Sequence, residues 1–368
     1  MTNNTRPTLK YILFTRLLIG LTILAAILVA CNETPTTTSP TAVAEQTEPT
    51  SVPKPTALPQ PTATQLPTAA PEPTIKPTEV SQVIGPVEAT HIWTIGGGSD
   101  PFKAPNGLGV DREGNLYLND AGNSRVLKFD GEGRLLATWD VQGSGDGEFN
   151  SLGFGGLAVG SDGNVFVVDN GNFRIQKFDG QGSYLTQWGG EGAEDGQFIR
   201  VIGVAVDSDG NVYVTDDSNP LVQVFDNDGS FLRKFGSGGR DEGQFEHATG
   251  IAVDGQGHVY VADYTNKRVQ KFDSTGEHLL SWETGSDTGV RGTPEGLAVD
   301  EHGRVYVTDY ALGRVEVFNG EGELLSAWGS RGRSDGEFLA PVAIALDNQG
   351  NIYVSDQTAN TIQKFALR

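Results

Sequence analysis

The chain has 368 residues, of which 47 are acidic and 26 basic, giving a formal net charge of −21, and it contains a single cysteine. So negative a chain would repel phosphates, which argues against nucleic acid as a partner. One thiol excludes an intrachain disulfide, a cysteine-based zinc site and a dithiol redox pair.

Residues 1–30 have the layout of an export signal. Three basic residues are followed by an uncharged run over residues 17–30 that ends in small residues. The sequence LVAC at residues 28–31 resembles the lipobox of bacterial lipoproteins. The resemblance implies cleavage before Cys31, acylation of its thiol, and a lipid-anchored, extracytoplasmic location at the cell surface. An uncleaved membrane helix over residues 12–30 is the alternative, and it also places the rest of the chain outside the cytoplasm.

Residues 31–88 form a tract rich in proline and threonine. It contains 12 of the 18 prolines and no aromatic residue. Proline removes backbone donors, and the lack of large apolar groups leaves little burial to offset chain entropy. We expect a disordered stalk of partly polyproline II character, up to about 180 Å long when fully extended.

Residues 89–368 contain 47 of the 49 glycines and six copies of one motif. The copies begin at residues 107, 156, 203, 250, 296 and 343, as GLGVD, GLAVG, GVAVD, GIAVD, GLAVD and AIALD. Each copy is followed by a glycine turn, an alternating strand, a second such strand and a short strand that ends in an aromatic residue. Four antiparallel strands repeated six times predict an all-β fold, a six-bladed β-propeller.

The two ends of the repeat region complement each other. The sixth copy lacks its fourth strand, whereas an unpaired strand over residues 91–95 precedes the first copy. We therefore expect the N-terminal strand to complete the sixth blade and close the ring. All five tryptophans fall in the fourth-strand position, and Phe235 takes that position in the third repeat. This regularity predicts that they pack between blades.

The repeats resemble NHL repeats, which build six-bladed propellers, over nearly all of residues 89–368. Their polar signature is an aspartate that ends the second strand and an arginine five residues later. It occurs here in the pairs Asp120 and Arg125, Asp169 and Arg174, Asp263 and Arg268, and Asp309 and Arg314. A carboxylate and a guanidinium facing each other across a hairpin fix the turn, so we interpret these pairs as structural. In the third and sixth repeats Leu221 and Thr361 replace the arginine.

Acidic turns such as DSDGN at residue 207 offer clustered oxygens without the spacing of a calcium loop. The twelfth position counted from Asp207 is Ser218, where an EF-hand needs glutamate. Asp, Asn and Gly are also the usual residues of hairpin turns. We assign no metal and no cofactor.

Histidines bear on the question of catalysis. The amidating-lyase and streptogramin-lyase relatives of this propeller class would require histidines that converge on the central channel. Among the five histidines, only His247 lies just before an inner strand, near the channel mouth. We therefore expect a non-catalytic binding module, and the alternative is an extracytoplasmic lyase or hydrolase with its active site in the channel. Three or more converging His, Asp or Glu side chains would favour the enzyme.

Strand direction separates short and long loops onto opposite faces. One face carries short glycine turns, and the other carries long loops that differ from blade to blade. Variable loops on a repeated scaffold are where binding sites are found. We expect a monomeric propeller to bind a protein, peptide or glycan on this long-loop face. The candidate residues are Tyr264, Tyr310, Arg291, Glu295, His247 and Arg200.

Overall fold

The computed structural model describes residues 87–96 and 98–367, and their regular structure is almost entirely β. The predicted export signal, Cys31 and nearly all of the Pro/Thr-rich tract lie outside the described residues. Within the described residues, no helix is long and apolar enough to cross a membrane.

The strands are numbered in chain order. They are β1 Ala89–Ile95, β2 Pro105–Val110, β3 Leu116–Asp120, β4 Arg125–Phe129, β5 Leu135–Trp139, β6 Leu157–Val159, β7 Val165–Asp169, β8 Arg174–Phe178, β9 Tyr184–Gly189, β10 Val201–Val206, β11 Val212–Asp216, β12 Leu221–Phe225, β13 Phe231–Phe235, β14 Ser237–Gly238, β15 Gln244–Phe245, β16 Ala248–Val253, β17 Val259–Asp263, β18 Arg268–Phe272, β19 His278–Glu283, β20 Pro294–Val299, β21 Val305–Asp309, β22 Arg314–Phe318, β23 Leu324–Trp328, β24 Pro341–Leu346, β25 Asn351–Asp356 and β26 Thr361–Leu367. Short 3-10 turns at Ala121–Asn123 and Asn170–Asn172 follow β3 and β7.

Six antiparallel sheets of four strands form the blades. Blades 1 to 5 consist of β2–β5, β6–β9, β10–β13, β16–β19 and β20–β23, and blade 6 consists of β24, β25, β26 and β1. The remaining two strands, β14 and β15, form a two-residue parallel pair in the loop after blade 3. The predicted six-bladed all-β propeller is confirmed.

Strand β1 closes the ring as the sequence predicts. It runs antiparallel to β26, with Ala89 opposite Leu367 and Ile95 opposite Ile362. The first strand of the propeller is therefore the outermost strand of its last blade. Both ends of the ring are held by one set of backbone hydrogen bonds, which covers the edge of β26.

The burial of each strand reflects its place between two neighbouring blades. Every residue of β7 and β8 is buried, because these middle strands are covered on both faces. Outer strands such as β1 instead alternate between partly buried and exposed residues. A core therefore lies in each space between adjacent blades, which is the packing expected of a propeller.

Aromatic side chains fill the spaces between blades. Trp139 of blade 1 stacks on Phe178 of blade 2, with ring centroids 5.4 Å apart, and Phe149 lies 5.6 Å from the same ring. The indole of Trp139 also covers Gly182, where a Cβ atom would lie 2.2 Å from the indole nitrogen. The tryptophans thus pack between blades, as their regular spacing predicts, and they do so against turn glycines of the next blade.

Candidate functional site

The aspartate at the end of the second strand holds the loop that precedes the inner strand of the same blade. In blade 3, Asp216 accepts hydrogen bonds from the backbone N–H groups of Ile199 at 2.7 Å and Arg200 at 3.0 Å. The same kind of bond to a loop N–H is made by Asp120, Asp169, Asp263, Asp309 and Asp356. The aspartates therefore set the backbone around one end of the channel.

Each blade contributes two side-chain positions to the rim at this end of the channel. One is the residue before the inner strand, and the other is the residue that follows the aspartate. Their backbones are joined, since the N–H of Asp217 donates to the carbonyl of Arg200 at 2.9 Å. Likewise, the N–H of Tyr264 donates to the carbonyl of His247 at 3.0 Å. We call the side chains at these positions, with those that touch them, the rim cluster.

Three of the four expected aspartate–arginine pairs are formed. The distances from Arg Nε to Asp Oδ2 are 2.7 Å for Arg125 and Asp120, 2.8 Å for Arg174 and Asp169, and 3.1 Å for Arg268 and Asp263. All three aspartates are fully buried. The pairs fix the hairpin below the rim, in line with the structural role inferred from the sequence.

The fourth expected pair, Asp309 with Arg314, is not formed. Arg314 instead donates from Nε to Glu316 at 3.0 Å and from Nη1 to Asp287 at 3.0 Å. The third strand of blade 5 carries Glu316 where blades 2, 3, 4 and 6 carry glutamine, so a second buried carboxylate competes for the guanidinium. Asp309 keeps backbone donors on Oδ1, while its Oδ2 has no hydrogen-bond partner among the described residues.

In blades 3 and 6, which lack the arginine, backbone donors take its place. Asp216 accepts from the N–H groups of Ser218 at 3.1 Å and Asn219 at 3.0 Å, within its own turn. Asp356 accepts from two N–H groups of the equivalent turn in blade 6. Each of these buried carboxylates therefore still has several hydrogen-bond donors without an arginine.

The central channel is narrow at the level of the inner-strand glycines. It contains a cavity of about 80 Å³, lined by residues from the inner strands of all six blades. Most of its lining is glycine or aliphatic, and its polar side chains are Asn106 and Glu295, with Phe154 also in the wall. The cavity has room for a few water molecules or one small ligand group, so a larger ligand would bind across the mouth.

One half of the rim cluster is an ionic group on blades 3 and 4. Arg200 Nη1 lies 3.1 Å from Asp217 Oδ2, and His247 Nε2 lies 3.7 Å from Asp217 Oδ1. Burial raises the pKa of Asp217, and the Arg200 guanidinium opposes that shift. The guanidinium also lies 5.5 Å from the ring centre of Phe154, a residue that is 52% exposed.

The other half is aromatic and lies on blades 4 and 5. Tyr264 and Tyr310 meet edge to face, with ring centroids 6.2 Å apart. Lys267 Nζ lies 4.8 Å from the ring centre of Tyr264 and donates to Thr293 Oγ1 at 2.8 Å. The amine thus joins the two blades beside the tyrosine pair.

Glu295 lies in the channel mouth, near charged groups of both halves. Burial, together with the nearby charge of Asp217, raises its pKa to about 8, and Arg200 and Lys267 only partly oppose this shift. The carboxyl group is therefore largely uncharged at neutral pH. Burial also lowers the pKa of Lys267, against the attraction of Asp309 and Glu295.

Five of the six sequence-predicted site residues lie at this rim, and one lies apart. Arg291 is mostly exposed and forms an ion pair with Glu283, at the end of β19. It occupies the sequence position at which the other blades carry a buried phenylalanine. A guanidinium cannot be buried there without a partner, so the side chain extends to the surface instead.

Three members of the rim cluster were not predicted as site residues, namely Asp217, Lys267 and Phe154. Asp217 stands in the sequence as the third-blade counterpart of Tyr264 and Tyr310. The sequence gives a weaker indication of Phe154. The first two repeats are 49 residues apart, whereas the later intervals are 46 or 47, so the loop that holds Phe154 is longer. The extra residues lie just before the inner strand of blade 2, where Phe154 becomes exposed.

The rim is one-sided. Blades 1 and 6 contribute only small or neutral side chains at these positions, which are Ala104, Ala121, Ala340 and Gln357. The charged and aromatic groups are therefore concentrated on blades 2 to 5. A ligand that uses them would leave the opposite part of the rim uncovered.

Three acid–base side chains, Asp217, His247 and Glu295, do come together at the mouth. In the described part of the chain, no group of three or more His, Cys, Asp or Glu side chains is arranged to hold a metal ion. The three residues thus reach the number that would favour an enzyme, but not the geometry of a metal centre.

Comparisons with known sequences agree with the repeat assignment. The family model of the NHL repeat matches residues 155–178, 198–225 and 245–272, so the chain contains NHL repeats. A comparison with curated proteins finds no match.

Several solved structures share the propeller. A streptogramin B lyase is 12% identical with a TM-score of 0.53, over 77% of this chain and 97% of the lyase. A gluconolactonase from Xanthomonas campestris is 16% identical with a TM-score of 0.54, over 72% of this chain and 86% of the other. A Bacteroides thetaiotaomicron protein of unknown function is 17% identical with a TM-score of 0.57, over 76% of this chain and 72% of the other. Identities this low show a common fold and do not transfer an activity.

Proposed function

We propose that the protein is a non-catalytic binding module that takes a protein, peptide or glycan ligand at the rim cluster. The observation that supports this most is the concentration of Tyr264, Tyr310, Arg200 and Lys267 on one side of a nearly closed channel mouth. Tyrosine and arginine dominate binding hot spots, since they combine a large contact area with directional donors. A narrow channel suits capture of a ligand surface better than passage of a substrate.

The same proposal includes the location of the module. We place it outside the cytoplasm, as a monomer carried by the Pro/Thr-rich stalk from a lipid anchor at Cys31. The basic and apolar pattern of residues 1–30 and the LVAC sequence support this placement. Two acyl chains would give the stable attachment that one chain does not.

The binding proposal is tested by removing the tyrosine pair. Full-length protein is applied to peptide and glycan arrays beside the double variant Tyr264→Ala/Tyr310→Ala. We expect the strongest signals to fall at least about tenfold in the double variant, the loss typical of a hot spot, while the melting temperature stays unchanged. Gln357→Ala is the matched control, because Gln357 holds the tyrosine position in blade 6 and should keep full binding. Equal signals from the wild type and the double variant would place the site elsewhere.

An extracytoplasmic hydrolase or lyase is the second candidate. It is favoured by one observation, the convergence of Asp217, His247 and Glu295 with a raised pKa on the glutamate. The test is turnover of a panel of lactones, esters and polysaccharides by the full-length protein. Turnover that is lost in both His247→Ala and Glu295→Gln would support the enzyme over the binding module.

A further inference from the structure

The rim cluster holds donors that a ligand could use. A guanidinium carries five N–H groups, and Arg200 directs Nη1 to Asp217. The Lys267 ammonium carries three, and one goes to Thr293. Both cations act on Glu295 in the channel mouth, within a propeller region that has 21 basic and 41 acidic residues.

The rim cluster is close to neutral even though the chain as a whole is acidic. The charges of Arg200 and Asp217 offset each other at 3.1 Å. Glu295 is largely protonated at neutral pH, so it adds a donor rather than a negative charge. Lys267 is attracted by Asp309, so its charge is offset as well. Asp217 and Asp309 are both buried, however, whereas the Arg200 side chain is partly exposed, so a ligand at the mouth meets the cations before their partners.

Two further features of the rim cluster indicate which other chemical groups a ligand with a negative group should carry. Phe154 contacts the Arg200 guanidinium and Ile199 precedes it in the chain, and these apolar residues are 52% and 40% exposed. The buried Asp217 has one oxygen, Oδ1, without a hydrogen-bond donor among the described residues. A peptide carries both apolar side chains and backbone N–H groups, whereas a glycan offers less apolar surface to match Phe154 and Ile199.

We propose that the ligand of the rim cluster is a peptide segment that presents a carboxylate to Arg200 and Lys267. This rests on the proposed binding function and specifies its ligand. The carboxylate accepts from both cations and from the protonated Glu295, while a backbone N–H of the peptide donates to Asp217 Oδ1. The carboxylate belongs either to a chain terminus or to an Asp or Glu side chain.

Three hexapeptide arrays separate these sources. The first has free C-terminal carboxylates and no acidic side chain, the second has C-terminal amides and one central glutamate, and the third has C-terminal amides and no acid. We expect full-length protein to bind the first or the second array and to give background signal on the third.

Charge variants test which residues receive the carboxylate. Arg200→Gln and Lys267→Gln should each weaken the array signal at least about fivefold, as removal of a charged hydrogen bond does. Arg240→Gln is the charge-matched control, since Arg240 is exposed and pairs with Glu246 outside the rim cluster. It should bind as the wild type does.

The binding should also depend on pH in a defined direction. The charged or titratable groups that face Glu295 are Asp217 and Arg200 of blade 3, and Tyr264 and Lys267 of blade 4. As pH rises through about 8, Glu295 loses its proton and repels a carboxylate. Affinity should therefore fall about tenfold between pH 7 and pH 9, following the protonated fraction. In Glu295→Gln the fall should be clearly smaller than in the wild type, because only the deprotonation of Lys267, whose pKa burial lowers, then remains.

The possible results distinguish failure of the carboxylate-peptide ligand from failure of the binding module itself. Equal binding to the amidated array without acid, or tyrosine-dependent binding of a glycan, would overturn the carboxylate peptide and leave the binding module standing. Affinity that rises with pH would point to a cationic ligand and overturn it as well. Background signal on every peptide and glycan array would overturn the binding module, and the carboxylate peptide with it.

Discussion

The glycine that opens five of the six inner-strand motifs is dictated by the distance between neighbouring blades. A Cβ atom on Gly250 would lie 2.2 Å from the carbonyl oxygen of Glu295, and one on Gly203 would lie 2.4 Å from that of Thr249. These contacts are with backbone, which cannot move aside as a flexible side chain could. The motif thus allows the inner strands to pack closely around the axis, and it explains why so little of the channel is open.

Gly250→Ala should therefore destabilise the propeller by about 1–3 kcal/mol, the usual cost of overpacking. Equilibrium denaturation of the full chain measures the loss. Gly255→Ala is the matched control in the turn of the same blade, because no atom lies within 4 Å of its Cβ position. The control should change stability by less than about 0.5 kcal/mol. Equal effects of the two substitutions would contradict the steric account.

The positions of the rim residues could be predicted from the sequence, but their partners could not. The repeats align well enough to place Tyr264, Tyr310 and His247 at equivalent points of successive blades. The partner of Arg314 depends on a competition between two buried carboxylates, and alignment of repeats does not show which one wins. Arg291 lies apart from the rim for a related reason, since its position in the repeat predicts burial that its charge does not permit.

At the scale of single elements, each blade keeps the same four strands while the loops between them differ. The strands follow from alternating apolar residues and glycine turns, so their number and order could be predicted. The path of the loop before β6 could not, because the two extra residues have no counterpart in the other repeats, and Gly153 in that segment adopts a positive φ angle. That loop exposes Phe154 and so completes one side of the rim cluster.

Strand β1 is the element on which closure of the ring depends. Deleting residues 89–96 from the full chain removes the partner of β26 and takes Trp93 away from Tyr353, whose ring centre is 5.8 Å from it. We expect a loss of several kcal/mol, a large part of the stability of a typical domain, or aggregation through the unpaired edge of β26. Thermal melting with light scattering measures both.

The matched control is a deletion of equal length, residues 60–67, within the Pro/Thr-rich tract. It shortens the chain by the same amount and should leave the melting temperature of the propeller unchanged. A β1 deletion that melts at the same temperature as the control would contradict closure by this strand.

At the scale of the whole molecule, we propose that function depends on the folded ring together with the proline-rich tract that precedes it. The ring supplies a well-held rim, since the loops before its inner strands donate backbone N–H groups to buried aspartates. The proline-rich composition supports a role in reach, as a stalk that holds the ring away from a surface. The acidic ring would be repelled from anionic lipid headgroups, so its ligands would be met at a distance from the membrane.

The last prediction tests the anchor on which this arrangement depends. If Cys31 carries the lipid, Cys31→Ala should abolish labelling by a radioactive fatty acid, and the protein should be released from the membrane fraction or keep its signal uncut. Asn32→Ala is the neighbouring control and should be labelled and retained normally. Labelling of Cys31→Ala at the wild-type level would rule out acylation at this thiol. Retention without any labelling of the wild type would instead support the uncleaved helix over residues 12–30.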